Sequence, residues 1–316
     1  MPLICYHASH EQFAPSELLA LALAAEDAGF GGIHSSDHFH PWSARQGQSG
    51  FSLSWIAAAL QATTLPFSMV CAPGQRYHPA IVAQAICTLC EMFPGRINFE
   101  LGSGEAINEK ITGEDWPAKE DRNARLMECV QIIRRLMRGE EVNHIGHVKV
   151  QHAKLYTLPK HKPELLCAAV SKETCAWAAV WADGLLTTAE NNEEETAAKI
   201  MAFRSAGGYG KPVYVQYAFS YSTSKEAAIN GAYDQWRSNI LPREKLATLT
   251  TVEEFDRLGE QTSIDELTSA IPIYTSIKEL MGKIDQIKEL EVDRIILHNV
   301  NRMQKKFIED FKRFNV

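Results

Sequence analysis

Short apolar runs alternate with longer segments whose apolar residues recur every three or four positions, almost from one end of the chain to the other. The short runs predict strands at residues 3–7, 32–36, 66–72, 96–101, 165–169, 184–188, 213–219 and 294–299. The longer segments predict helices at 16–30, 53–63, 79–93, 119–137 and 174–181; in the fourth of these Leu126, Val130, Ile133 and Met137 share one face. Eight strands joined by helices require parallel pairing, and eight such units favour closure into a (β/α)₈ barrel over an open doubly wound sheet. The whole chain, 1–316, is therefore expected to be one barrel domain.

Two stretches break the rhythm. Residues 141–157 carry alternating Val142, His144, Val148 and Val150 around a turn near Ile145-Gly146, which predicts a hairpin inserted after the fourth helix. Residues 240–275 are irregular with helical pieces, and are expected to cap the barrel mouth.

Charge and composition narrow the class of function. A formal net charge of -7 with interspersed signs leaves no electrostatic footprint for nucleic acid. No apolar stretch is long enough to span a bilayer, and residues 2–10 do not look like a secretory leader. The seven cysteines are scattered, and the Cys87/Cys90 pair falls inside an apolar-periodic helix, so buried thiols and a cytoplasmic location are expected.

In a barrel the chemistry belongs on the C-terminal ends of the strands. The richest such end runs from Ser36 to Trp42 and holds Asp37, His38, His40 and Trp42. Its residues suit proton transfer and the covering of an aromatic ring. His38 and His40 also have the spacing of a metal-binding pair, which opens the alternative of a metal-dependent hydrolase. No further histidine stands at the later strand ends apart from His298, so no metal site is expected. After the fourth strand Gly102, Ser103, Gly104 and Glu105 combine close backbone approach with a carboxylate, but lack the third glycine of a dinucleotide fingerprint. Ser171 opens a helix after the fifth strand, where it can act as a plain cap or lie beside amides that bind a phosphate.

Together the segments 36–42, Phe51 to Trp55, Arg76 to Pro79 and 102–108 resemble the luciferase-like flavin and deazaflavin oxidoreductases, within the branch containing coenzyme-F420-dependent glucose-6-phosphate dehydrogenase. The resemblance implies hydride transfer to or from a small organic substrate, with a monooxygenase as a further possibility. It places Asp37 and His38 at the cofactor ring, with Trp42 and Glu105 on the substrate side. His38 would polarise or deprotonate a hydroxyl, Glu105 would exchange a proton, and Trp42 would exclude water. It also implies a non-proline cis peptide at Met69-Val70, with Gly104, Asn108 and the amides of Ala169, Val170 and Ser171 holding the cofactor, and a homodimer.

The departures from that branch carry information. Asn191 stands where a phosphate-clamping lysine belongs, and no convincing cations replace its companions between Leu241 and Thr275. Glucose 6-phosphate is therefore not the expected substrate. Val170-Ser171 replaces a usual glycine pair, which favours FMN over F420. A barrel that binds flavin without catalysing anything is the remaining alternative.

Overall fold

The structure, a computed structural model, describes residues 1–315. Its strands are β1 (Leu3–Ala8), β2 (Gly32–Ser35), β3 (Phe67–Cys71), β4 (Ile97–Leu101), β5 (Val142–Ile145), β6 (Lys149–Ala153), β7 (Leu165–Ala168), β8 (Leu185–Thr188), β9 (Val213–Tyr221), β10 (Ile273–Tyr274) and β11 (Arg294–Asn299). Parallel pairing runs β1-β2-β3-β4-β7-β8-β9-β11 and returns from β11 to β1, which closes an eight-stranded barrel. All eight strands predicted from the apolar runs are its staves.

Strand alternation divides the buried side chains into two layers. Phe67, Met69, Phe99, Leu101, Leu165 and Val215 face outward into the large core between barrel and helices. Cys5, Leu166, Leu186, Tyr214 and Ile296 face the axis and plug the lower barrel. Above that plug the interior turns polar, with His7, His34, Ser68, Glu100 and His298 all at least 95% buried.

The insertions fall where expected. β5 and β6 form an antiparallel hairpin with a register shift between Val142 and His144. Residues 237–270 fold into short helices, among them Arg243–Leu246, Val252–Gly259 and Ile264–Ala270, and β10 then pairs with the end of β9. Phe255 of this insertion packs with Trp42 and Ile107, so the insertion sits over the loops that follow β2 and β4.

All seven cysteines are free and buried, and burial raises the pKa of Cys87 and pushes that of Cys90 up to about 12. Among the described residues no helix is long and apolar enough to cross a membrane.

One expectation fails: every described peptide bond is trans, Met69-Val70 included. β3 keeps its ladder with β4 through Met69, Val70 and Cys71, so regular trans backbone carries the strand to its end. Alternation turns Met69 outward into the core and leaves Val70 facing the axis.

Candidate active site

The site is assembled by the loops that follow β1, β2 and β4. Asn108, buried in the short helix Ala106–Glu109, accepts hydrogen bonds on Oδ1 from the amides of Phe39 at 2.9 Å and His40 at 3.2 Å. The His40 ring donates from Nδ1 to the Ile107 carbonyl at 2.8 Å. The loop is held from the other side by the mouth insertion, where Asp256 takes the Ser43 hydroxyl at 2.5 Å and the Ala44 amide at 3.0 Å. Asn108 therefore shapes the loop that carries His38, a different task from the cofactor contact implied by resemblance.

His38 lies between two carboxylates. Its Nδ1 is 2.6 Å from Glu11 Oε1, and its Nε2 is 3.8 Å from Glu105 Oε2. The Trp42 ring meets the imidazole edge-on at 5.0 Å and is itself backed by Phe255. Burial disfavours the imidazolium, but the Glu11 carboxylate overrides it and lifts the His38 pKa to about 9. In the same pair burial opposes ionisation of Glu11, yet His38 holds its pKa well below the ordinary value. At neutral pH this is an ion pair with the proton on the imidazole. Glu105 is raised to about 7, first by burial in the cleft and then against the pull of His38. Since 36% of its side chain is reached by solvent, water screens part of that rise.

Asp37 serves a neighbouring network. Its Oδ2 takes Arg76 Nη2 at 2.9 Å and its Oδ1 takes the Tyr77 hydroxyl at 3.0 Å, so both oxygens already have protein partners. The Arg76 amide donates to Glu109 at 2.8 Å, and the guanidinium stacks on Tyr77 at 4.3 Å. Burial raises the pKa of Asp37 and of Glu109, with Arg76 opposing in both cases. Gly104 adjoins this network at φ +80°, and a Cβ there would come within 2.8 Å of Glu109. That glycine is needed for backbone shape and side-chain room.

The segment after β7 is only partly free to hold a ligand. The Ala169 amide donates to the Leu186 carbonyl at 2.9 Å, so it is committed to the barrel and is removed from the proposed amide cradle. Ser171 caps the next helix, with its Oγ accepting from Thr174 N at 3.3 Å. Among the described residues the Val170 and Ser171 amides have no protein acceptor, and small residues, Ala168 and Gly102, line the adjoining strand ends. These unpaired amides beside small side chains fit an anionic group.

Asn191 spends its amide on the carbonyls of Ser269 and Ala270, at 3.0 and 3.1 Å. A cation does stand nearby: Arg243 reaches the Val170 carbonyl at 2.7 Å and Glu190 at 2.6 Å. Lys199 meets the same Glu190 oxygen at 2.6 Å. Both cations thus share one carboxylate, and the cluster keeps one net positive charge. Nothing in the primary pattern marked Arg243 or Lys199, which lie on helices and reach the ends of β7 and β8 only once the chain is folded. Glu11 and Arg76 follow β1 and β3 by a few residues, and a charge just after an apolar strand was the available signal.

The metal reading loses its basis. His38 and His40 bind separate partners, Glu11 and the Ile107 carbonyl, and face different surroundings. Among the described residues no group of three or more His, Cys, Asp or Glu side chains is arranged to hold a metal ion.

Known proteins share both sequence and shape with this chain. It is 31% identical to the F420-dependent glucose-6-phosphate dehydrogenase of Mycolicibacterium smegmatis, over 98% of this chain and 95% of that protein. The protein of the same name from Mycolicibacterium gilvum is 32% identical over the same shares. A solved F420-dependent secondary alcohol dehydrogenase in complex with an F420-acetone adduct superposes with a TM-score of 0.89 at 27% identity, covering 99% of this chain and 98% of that one. Residues 5–276 match the family model described as luciferase-like monooxygenase, and the chain belongs to that family.

Proposed function

We propose that this protein transfers hydride between a small, uncharged alcohol or carbonyl compound and a deazaflavin or flavin. The observation that carries the reading is His38, pinned between Glu11 and Glu105 beside Trp42 on the C-terminal face of the barrel. The bound ring would supply the hydride acceptor or donor. Val170 and Ser171 amides would hold the cofactor, with Val70 lining the barrel axis beside it.

The chain's own groups handle the proton. His38 rests as an imidazolium, so it is set to donate a hydrogen bond or a proton to a carbonyl oxygen. As an imidazolium it cannot take an alcohol's proton at neutral pH, and that role opens to it only as pH rises toward 9. Glu105, near neutrality, can exchange a proton with the cleft. Trp42, only 8% exposed and wedged on Phe255, keeps water from the imidazole. A dianionic phosphate on the substrate meets a weak clamp here, because Arg243 and Lys199 are both tied to Glu190 and offer one net positive charge between them.

F420 is supported by the relatives named for it at 27–32% identity over nearly the whole chain. The Val170-Ser171 pair is the feature that favours FMN, because a side chain occupies an edge where a glycine would leave the cofactor tail more room. With FMN, reaction with oxygen as a monooxygenase also opens to the same site. Titration of the apoprotein with FMN and with F420, followed by fluorescence quenching, separates the two. His38→Ala is expected to retain cofactor affinity and to lose turnover by about 10²–10⁴-fold. Undiminished turnover would remove His38 from the mechanism; binding of neither cofactor would overturn the proposed function. Tight binding with no turnover by the unmodified protein on any alcohol or carbonyl would leave a non-catalytic flavin-binding barrel.

A further inference from the structure

Directly below the site, the axis of the barrel holds a row of polar side chains for which neither packing nor the proposed chemistry accounts. His7 on β1 and His34 on β2 are register partners, and their Nδ1 atoms lie 2.8 Å apart. His34 Nε2 lies 3.7 Å from Glu100 Oε2 on β4. The His298 ring packs on His7 at 4.0 Å and accepts at Nδ1 from the Gln216 side-chain amide nitrogen at 2.9 Å. Glu100 is wholly buried, and neither of its oxygens nor His34 Nε2 has a direct hydrogen-bond partner. Ser68 stands close enough to lower the Glu100 pKa, although no pair of atoms reaches hydrogen-bond geometry. An apolar layer would fill this space at less cost, since unsatisfied buried polar groups are destabilising.

The tautomers explain what such a row can do. Two ring nitrogens at 2.8 Å share one proton, so one imidazole donates from Nδ1 and the other accepts there. If His7 donates, its Nε2 is bare, and His34 carries its proton on Nε2, facing Glu100. A small turn of either side chain closes the 3.7 Å gap. We propose that His7, His34 and Glu100 form a proton relay that carries the proton released on alcohol oxidation from the cleft floor to a buried carboxylate. His7 is the relay's entrance: it is 5% exposed, against 1% for His34 and 0% for Glu100.

The step balances, resting on the hydride transfer proposed above. Oxidation of an alcohol sends hydride from carbon to the deazaflavin or flavin and a proton from oxygen to His7 Nε2. His7 passes its Nδ1 proton to Nδ1 of His34, and His34 passes its Nε2 proton to the Glu100 carboxylate. Both imidazoles end neutral with their tautomers reversed, and Glu100 ends as the acid. Carbonyl reduction runs the row backward, and after product leaves the same reversal returns the proton through His7 Nε2 to water in the open cleft, restoring Glu100 and both tautomers. Need for a second acceptor follows from the ion pair above it, because His38 already holds a proton when paired with Glu11.

The surroundings suit neutral imidazoles and a protonatable acid. Burial lowers His34 to about 3, with His298 and Arg294 adding to the effect and Glu11 opposing it. Burial, then His34, holds His7 well below its ordinary value; His10 and His38 add to this and Glu11 opposes it. Burial lifts Glu100 to about 7, with Ser68 and Arg294 pulling it down, and Cys5, facing the same axis, stays a thiol.

Infrared difference spectra of the apoprotein across neutral pH test the acceptor, and nitrogen-15 NMR tests the shared proton. The expected results are a protonated-carboxyl band titrating near neutrality that Glu100→Gln abolishes, and a hydrogen-bond coupling between the Nδ1 nuclei of His7 and His34. In the cofactor-loaded enzyme, Glu100→Gln is expected to lower kcat for alcohol oxidation about tenfold and alter its solvent deuterium isotope effect, with cofactor affinity unchanged. Should Glu100→Gln fail to fold, Ser68→Ala replaces it, and the carboxyl band should then titrate at higher pH. A Glu100 ionised throughout, or a Glu100→Gln enzyme with unchanged kcat and isotope effect, overturns the relay. If neither cofactor supports turnover, the proposed function fails, while the infrared and NMR results on the apoprotein still decide the relay.

Discussion

Glu11→Gln is the perturbation that most directly tests the electrostatic logic of the site. Glutamine keeps the shape and can still accept the Ser9 hydroxyl, which now meets Glu11 Oε2 at 2.7 Å. What it removes is the negative charge 2.6 Å from His38 Nδ1. The rise of His38 from 6.5 to about 9 corresponds to about 3 kcal/mol of net preference for the imidazolium, achieved against burial. Without Glu11, burial dominates and the imidazole pKa should fall below 6.5. At pH 7 the neutral fraction would then change from about one in a hundred to a majority.

The consequence has opposite signs in the two directions. Carbonyl reduction, which uses the imidazolium as donor, should lose about 10–100-fold in kcat/KM at pH 7 in Glu11→Gln. Alcohol oxidation should rise with pH through a midpoint near 9 in the unmodified enzyme, and that rise should move below 6.5 in the variant. The gain in neutral base is partly offset because a less basic imidazole accepts protons less strongly. The same pair affects stability: His38's contribution is fully present below 6.5 and is lost as pH rises through about 9. Imidazole NMR titration of the apoprotein gives the pKa directly, and pH profiles of kcat/KM give its consequence. A His38 midpoint at or below 6.5 in the unmodified protein would refute the reasoning, as would identical profiles for both proteins.

Arg76→Met should destabilise the fold by about 3–5 kcal/mol, because Asp37 and Glu109, each with 2% of the side chain exposed, lose their shared cation; an unchanged denaturation midpoint would contradict this. Asn108→Ala should speed amide exchange at Phe39 and His40 and lower turnover about tenfold through misplacement of His38, with the barrel's stability little changed. Stability should fall as pH drops below 6.5, because the unfolded chain binds protons that buried His7, His34 and His298 refuse. Denaturation midpoints that do not fall between pH 7 and pH 5 would contradict that sign.

The barrel was legible because its information is local and repeated. Each buried parallel strand is a short apolar run, such as residues 165–168 or 294–299, and each helix shows its own period. The hairpin at 142–153 was visible through the same alternation. Met69-Val70 was a different kind of expectation, drawn from resemblance, and the ladder between β3 and β4 carries trans backbone through it. The Ala169 amide was misjudged for a related reason: a strand end looks free in sequence until its neighbour, here Leu186, is known.

For the site, composition of the strand ends revealed which side chains reach the cleft, but not which of them speak to each other. His38, Trp42 and Glu105 stand together as expected, because each follows a strand and strand ends converge in a barrel. Glu11 was equally visible as a residue and invisible as a partner, since its effect depends on the 2.6 Å separation across β1 and β2. That separation decides the chemistry: it converts a histidine readable as a base into one that rests protonated. For the proposed alcohol oxidation a second proton acceptor is then needed below about pH 9, which Glu105 above and Glu100 below are placed to meet. Residue types at strand ends thus indicate a reaction class, whereas the direction in which the protein is poised follows from distances between strands.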